Sequence, residues 1–174
     1  MRHRSISTSI ALLAQRLGRR FAEKKLTLSV AESCTGGMIG AAITAVPGSS
    51  AYFSGGVVSY SNEMKHNVLG VPKLVLEKKG AVSAETVKAM VKGVLRLCKT
   101  DCAIAVSGIA GPDGGTKKKP VGLVYVGIGA GKKVQAFKYH FKGGREQVRR
   151  QTVEKALERM IEEVTKWNKY YSGG

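Results

Sequence analysis

The stretch "TLSVAESCTGGMIGAAITAV", residues 27–46, decides how this chain folds. Leu26, Leu28 and Val30 form a hydrophobic run that stops at Glu32, and "TLSVAE" reads as a buried strand. At Ser33 the pattern breaks into three small polar residues, Ser33, Cys34 and Thr35, followed by Gly36 and Gly37. From Met38 the apolar residues take helical spacing until Pro47 and Gly48 stop them. A strand that turns sharply into a helix is the unit of α/β proteins. Ligands of open α/β sheets sit beyond the carboxyl ends of strands, where this turn lies.

The turn has two readings. Ser33 or Thr35 can cap the following helix, and taken alone that is the stronger reading. The same geometry exposes a serine hydroxyl at the sheet edge, with N–H groups from Thr35, Gly36 and Gly37 available to an oxyanion or a phosphate. The Gly-x-Ser-x-Gly elbow is not matched, because Ala31 and Thr35 stand at its glycine positions. Strand alternation turns Cys34 opposite to Ser33.

A serine nucleophile needs a base. The three histidines, His3, His66 and His140, are scattered, and no Ser-His-Asp arrangement is evident. His66 reads as a surface residue. Lysine is the other option, and Lys65 follows Tyr60 in "YSNEMKH", just after a strand. With a pKa of about 10.4 a lysine is neutral in only a few molecules per ten thousand at pH 7. Work as a base requires a fall of roughly three pH units, through burial or nearby positive charge. By spacing alone Lys65 reads as an exposed helix lysine. Ser61, one turn earlier, forms a rival pair with it but reads more simply as an N-cap.

Outward from this turn, strands and helices alternate. Residues 5–24 read as an amphipathic helix on Ile6, Ile10, Leu13, Leu17 and Phe21, with Arg16, Arg19, Arg20 and Lys24 on its solvated side. "YFSGGVVSY" reads as a strand whose glycine pair marks a bulge or a close backbone approach. "NEMKHNVLG" reads as one or two helical turns. Ser83 caps a helix with Glu85 in its first turn and Val87, Met90, Val91, Val94, Leu95 and Cys98 inward. "DCAIAVSG" is a second buried strand. "LVYVGIGAGKKVQAFKYHF" reads as two strands joined by a tight glycine turn. The last helix carries Val148, Val153, Ala156, Leu157, Met160, Ile161 and Val164 on one side, and "YYSGG" reads as a frayed tail. The hairpin implies one antiparallel strand in an otherwise parallel, and so mixed, sheet.

Two further segments are candidates for binding. The loop "SGIAGPDGGT" after Ser107 holds Gly108, Gly111, Gly114 and Gly115, and reads equally as a flexible connection or as backbone that approaches a phosphate or carboxylate. It is not a P-loop. Arg145, at the start of the last helix, pairs a guanidinium with free N–H groups. It reads as a phosphate ligand or as a capping-region arginine on a basic surface.

The 174 residues fit one domain, 1–174, with a sizeable core. No apolar run reaches the roughly 20 residues of a membrane span, and the basic N-terminus reads as part of the first helix rather than a targeting segment. A net charge of +17 attracts anions, small or polymeric. Aromatic residues are only 6%, which weakens base stacking as a route to nucleic acid. Cys34, Cys98 and Cys102 form no disulfide pattern and imply a reducing compartment. With the histidines scattered, no metal is expected.

The segments "AESCTGG", "PGSSAYFSGGVVSYSNEMKHNVLGV", "GAVSAETVKAM", "SGIAGPDGGTKKKPVG" and "GGREQVR", in this order over about residues 8–165, resemble the C-terminal domain of the competence/damage-inducible CinA family. That domain also occurs alone as a nicotinamide mononucleotide deamidase. The resemblance implies an α/β fold, a three-layer α/β/α sandwich with a mixed, mostly parallel sheet. It implies a cytoplasmic homo-oligomer that acts without a cofactor on a pyridine mononucleotide, in pyridine nucleotide recycling. It further implies Ser33 as nucleophile or its close partner, Tyr60 and Lys65 as proton-handling residues, Ser107 completing the pocket where the family more often has threonine, and Arg145 holding the phosphate. The alternative is a non-catalytic module that binds nucleotides or nucleic acid.

Overall fold

The computed structural model describes residues 7–166. Five strands form one sheet in the order β2-β1-β3-β4-β5. They are β1 (Leu28–Glu32), β2 (Phe53–Val58), β3 (Cys102–Gly108), β4 (Leu123–Ala130) and β5 (Lys133–His140). β1 pairs in parallel with both β2 and β3, whereas β4 is antiparallel to β3 and to β5. Four strands therefore run one way, as the hairpin implies. The reversed strand lies inside the sheet, however, so parallel and antiparallel pairings are equal in number.

Among the described residues six α-helices accompany the sheet: α1 (Thr8–Lys24), α2 (Met38–Thr44), α3 (Asn62–Asn67), α4 (Lys73–Lys79), α5 (Ala84–Cys98) and α6 (Arg145–Lys166). Strand alternation assigns the faces. Leu28 and Val30 of β1, Ile104 and Val106 of β3, and Val124, Val126 and Ile128 of β4 join Leu17, Phe21, Ile39, Leu157 and Met160 under α1, α2 and α6. Ala31, Ala103 and Ala105 face the other way, onto Met90, Val91 and Val94 of α5. Small residues on that face let α5 lie close to the sheet. The result is the expected three-layer sandwich.

Most elements fall where the periodicity puts them. Ser83 and Ser61 cap α5 and α3, accepting from the N–H groups of Thr86 and Met64, so Ser61 is a cap and not a rival partner of Lys65. The first helix is described from Thr8, and Ile6 lies outside the described residues, as does the tail after Lys166. The glycine pair in β2 marks both expected features. The register slips between Leu28 and Ser29, and a Cβ on Gly56 would lie 2.4 Å from Val30 Cγ2 and 2.6 Å from its carbonyl oxygen. Helix α4 is not anticipated by the sequence pattern. It buries no residue fully, and only Val75 and Leu76 lean on the core.

Candidate active site

The strand-to-helix turn after β1 bends through two left-handed glycines, Gly36 (φ 60°) and Gly37 (φ 96°). Neither Ser33 nor Thr35 caps α2. Glu32 does, through its carboxylate: Oε2 accepts from the N–H groups of Gly37 (3.0 Å) and Ile39 (3.1 Å) and from the Thr35 hydroxyl (2.5 Å), and Oε1 accepts from the Gly40 N–H (2.8 Å). The cap therefore falls to Glu32 rather than to Ser33 or Thr35. The Gly37 N–H is engaged by Glu32, the Gly36 N–H by the Ser33 carbonyl (3.1 Å), and Thr35 is fully buried.

With Glu32 holding the helix, the Ser33 hydroxyl is not engaged as a cap. It is 8% exposed and on the opposite side of the chain from Cys34, which packs in the core under α1, α2 and α6. Burial pushes the Cys34 thiol up from 9.0 to about 11, against the pull of its own backbone N–H, so it stays protonated and unreactive at neutral pH.

Lys65 is not the exposed helix lysine that its spacing suggests; it is 1% exposed. Helix α3 is a single short element after β2, and it turns Lys65 back toward the sheet. Nζ lies 3.0 Å from Ser33 Oγ, 2.8 Å from the Ser59 carbonyl and 3.1 Å from the Tyr60 carbonyl. The two protonation states use these three neighbours differently. A charged ammonium donates to all three. A neutral amine has two N–H bonds, which match the two carbonyls, and its lone pair is left to accept from the Ser33 hydroxyl. That second arrangement is what a general base for Ser33 requires. Burial lowers the Lys65 pKa from 10.5 to about 8.

The remaining expected residues have contacts of their own. Tyr60 is 59% exposed, and its hydroxyl accepts from Arg145 Nη2 at 3.0 Å. Arg145 Nη1 donates to the Gly111 carbonyl at 2.9 Å, so this guanidinium ties Tyr60 to the glycine loop. Gly111 has the left-handed φ of 84°. Gly108, paired with Val124 at the end of β3, has no room for a Cβ, which would lie 2.5 Å from Val124 Cγ2. The Ser33 N–H donates to the Val106 carbonyl (3.1 Å), which sets Ser107 beside Ser33 at the carboxyl ends of β3 and β1. The Ser107 hydroxyl, however, donates to the Ala81 carbonyl at 2.8 Å and ties β3 to the segment before α5.

Sequence reasoning missed Glu32 and Arg149. Glu32 reads only as the end of an apolar run. Arg149 is one helical turn beyond Arg145, and that spacing was the available signal. Its Nε and Nη2 donate to the carbonyls of Cys34 (3.1 Å) and Thr35 (2.7 Å). Among the described residues no three His, Cys, Asp or Glu side chains are grouped to hold a metal ion, and no helix is long and apolar enough to cross a membrane.

Known proteins share this arrangement of elements. A CinA-like protein of Endomicrobium trichonymphae is 57% identical over 146 residues, covering 84% of this chain and 34% of that protein. The chain thus spans about a third of the length of several of the curated relatives it matches. The nicotinamide-nucleotide amidohydrolase PncC of Pseudomonas putida is 49% identical over 153 residues, covering 88% of this chain and 96% of that protein. The crystal structure of the competence/damage inducible protein CihA from Agrobacterium tumefaciens superposes with a TM-score of 0.90 at 39% identity, over 94% of this chain and 100% of that one. The profile of the CinA C-terminal domain matches residues 10–164, and the chain belongs to that family.

Proposed function

We propose that this protein is an amidohydrolase that converts nicotinamide mononucleotide and water to nicotinate mononucleotide and ammonia. The observation that carries the proposal is the buried Lys65 amine, 3.0 Å from Ser33 Oγ and oriented by two backbone carbonyls. The near-full-length likeness to a protein named for nicotinamide-nucleotide amide hydrolysis supports the choice of substrate.

The chemistry follows from the groups present. The pyridinium of the substrate withdraws electrons and makes the carboxamide carbon electrophilic. Its positive charge beside Lys65 also favours the neutral amine. Lys65 takes the Ser33 proton as Oγ bonds to the carbon. The C–N bond then breaks, and the lysine proton goes to the departing nitrogen, giving ammonia and an acyl-enzyme. Water attacks the ester with Lys65 again as base, and the proton returns to Ser33 as the acid leaves. The Tyr60 hydroxyl already accepts from Arg145, so its own proton is free to hydrogen-bond the oxygen that becomes negative. Arg145 keeps further N–H donors for the substrate phosphate.

The test is ammonia release from nicotinamide mononucleotide by purified protein, beside Ser33→Ala. Turnover by the wild type and its loss in the variant are the expected results. A Ser33→Ala protein that keeps most of the rate would refute the mechanism.

A further inference from the structure

Resting on Ser33 as nucleophile, we propose that Glu32 and Arg149 are positioning residues that lock the nucleophile turn from its two sides. The carboxylate holds the donors of the turn, and the guanidinium holds its carbonyls.

Glu32 is 1% exposed and closes β1. Its two oxygens collect the N–H groups of Gly37, Ile39 and Gly40 and the Thr35 hydroxyl. Capping alone needs one side-chain oxygen, which a neutral serine or asparagine supplies. A buried charge is an expensive cap for a helix of seven residues. What the charge adds is rigidity: four donors converge on one group, and they span the residues immediately after Ser33.

Arg149 completes the hold. Nε and Nη2 take the carbonyls of Cys34 and Thr35 in a two-pronged contact. Ser33 is itself fixed through its N–H, given to Val106, and through its carbonyl, which accepts from Gly36. The backbone of the turn is thus tied to β1, β3, α2 and α6, and one side chain, Ser33, projects from it toward Lys65. The contacts of Glu32 and Arg149 are with the turn and the start of α2, not with the Ser33 hydroxyl or the Lys65 amine. They act through the backbone.

The hold matters because Lys65 cannot follow a displaced serine. Its Nζ is anchored by the carbonyls of Ser59 and Tyr60. Misplacing reacting groups by about 1 Å costs on the order of a hundredfold in rate. A loosened turn therefore lowers kcat while leaving the binding groups on Tyr60 and Arg145 in place.

The test uses the full chain with Glu32→Gln, Arg149→Met and Arg149→Lys, each checked for folding by circular dichroism melting. One readout is the rate at which phenylmethylsulfonyl fluoride sulfonylates Ser33, followed by peptide mass spectrometry. In that step the Oγ–S bond forms, the S–F bond breaks, fluoride leaves and the serine proton goes to Lys65. The second is kcat and KM for nicotinamide mononucleotide. Arg149→Met and Glu32→Gln should lower both the labelling rate and kcat by about a hundredfold with KM within about threefold, and Arg149→Lys should recover part of the loss. Arg149→Met decides the matter if Glu32→Gln does not fold. A folded Arg149→Met protein that labels at the wild-type rate with unchanged kcat, or that changes KM alone, overturns the proposal. Wild type that labels at Ser33 with this dependence but releases no ammonia refutes the substrate and leaves the positioning role standing. Wild type that does not label at Ser33 overturns both.

Discussion

Acidification should silence the Ser33–Lys65 pair. Burial brings the Lys65 amine from 10.5 to about 8. At pH 7 that makes about one molecule in ten neutral, against a few in ten thousand for an ordinary lysine, a gain of roughly 300-fold or about 3 kcal/mol. Because kcat/KM reports the free enzyme, it should climb about tenfold per pH unit up to a midpoint near 8 and then level off. The midpoint for kcat should lie lower, since the bound pyridinium disfavours a second positive charge. A separate inflection near about 6 belongs to the substrate phosphate. Lys65→Arg stays charged throughout and should lose about a thousandfold or more, together with the alkaline rise. The assay is initial-rate ammonia release at constant ionic strength. A profile flat from about pH 6.5 to about 9 refutes Lys65 as the base. So does a midpoint at the ordinary lysine value, or a Lys65→Arg variant that keeps the rise.

The same lysine makes stability depend on pH. Its folded-state value lies below its unfolded one, so between pH 8 and 10.5 the unfolded chain holds a proton that the folded chain does not, and stability rises with pH across that window. The urea stability of wild type relative to Lys65→Met should improve by about 3 kcal/mol from pH 7.5 to about 10.5; no change would contradict the burial penalty. Tyr60→Phe and Arg145→Ala should be non-additive in kcat, because Arg145 Nη2 donates to the Tyr60 hydroxyl. Additive losses in a double-mutant cycle would separate the two residues. Gly56→Ala should cost about 1–3 kcal/mol in urea denaturation, since its Cβ would lie 2.4 Å from Val30 Cγ2. A neutral substitution would mean that the β1–β2 contact relaxes freely.

The layered fold was legible because its signals are local. Long amphipathic patterns mark α1, α5 and α6, Leu26, Leu28 and Val30 mark β1, and the apolar run Cys102 to Val106 marks β3. The antiparallel strand follows from a hairpin whose turn is only Gly131 and Lys132. Its place inside the sheet does not, because strand order is set by long-range packing. At the site, alternation along β1 predicted that Ser33 and Cys34 would part, and they do. The burial of Lys65 was hidden, because a six-residue helix is too short to show an inward stripe. The cap departs from the sequence pattern for a related reason. Serine and threonine are the usual caps, whereas Glu32 reaches forward from the strand to donors five to eight residues on. Arg149 was hidden among the neighbouring cations of a basic helix; its targets, the carbonyls of Cys34 and Thr35, are 115 and 114 residues away in the chain.

The most direct test of the Ser33–Lys65 chemistry is to catch the acyl group on the enzyme. Protein turning over nicotinamide mononucleotide is quenched in acid within one catalytic cycle, digested and weighed by mass spectrometry. The peptide carrying Ser33 should gain the mass of the nicotinate mononucleotide acyl group, and the gain should vanish in Ser33→Ala. Full turnover with no adduct on Ser33, or with the adduct on Cys34, would contradict a serine nucleophile activated by lysine.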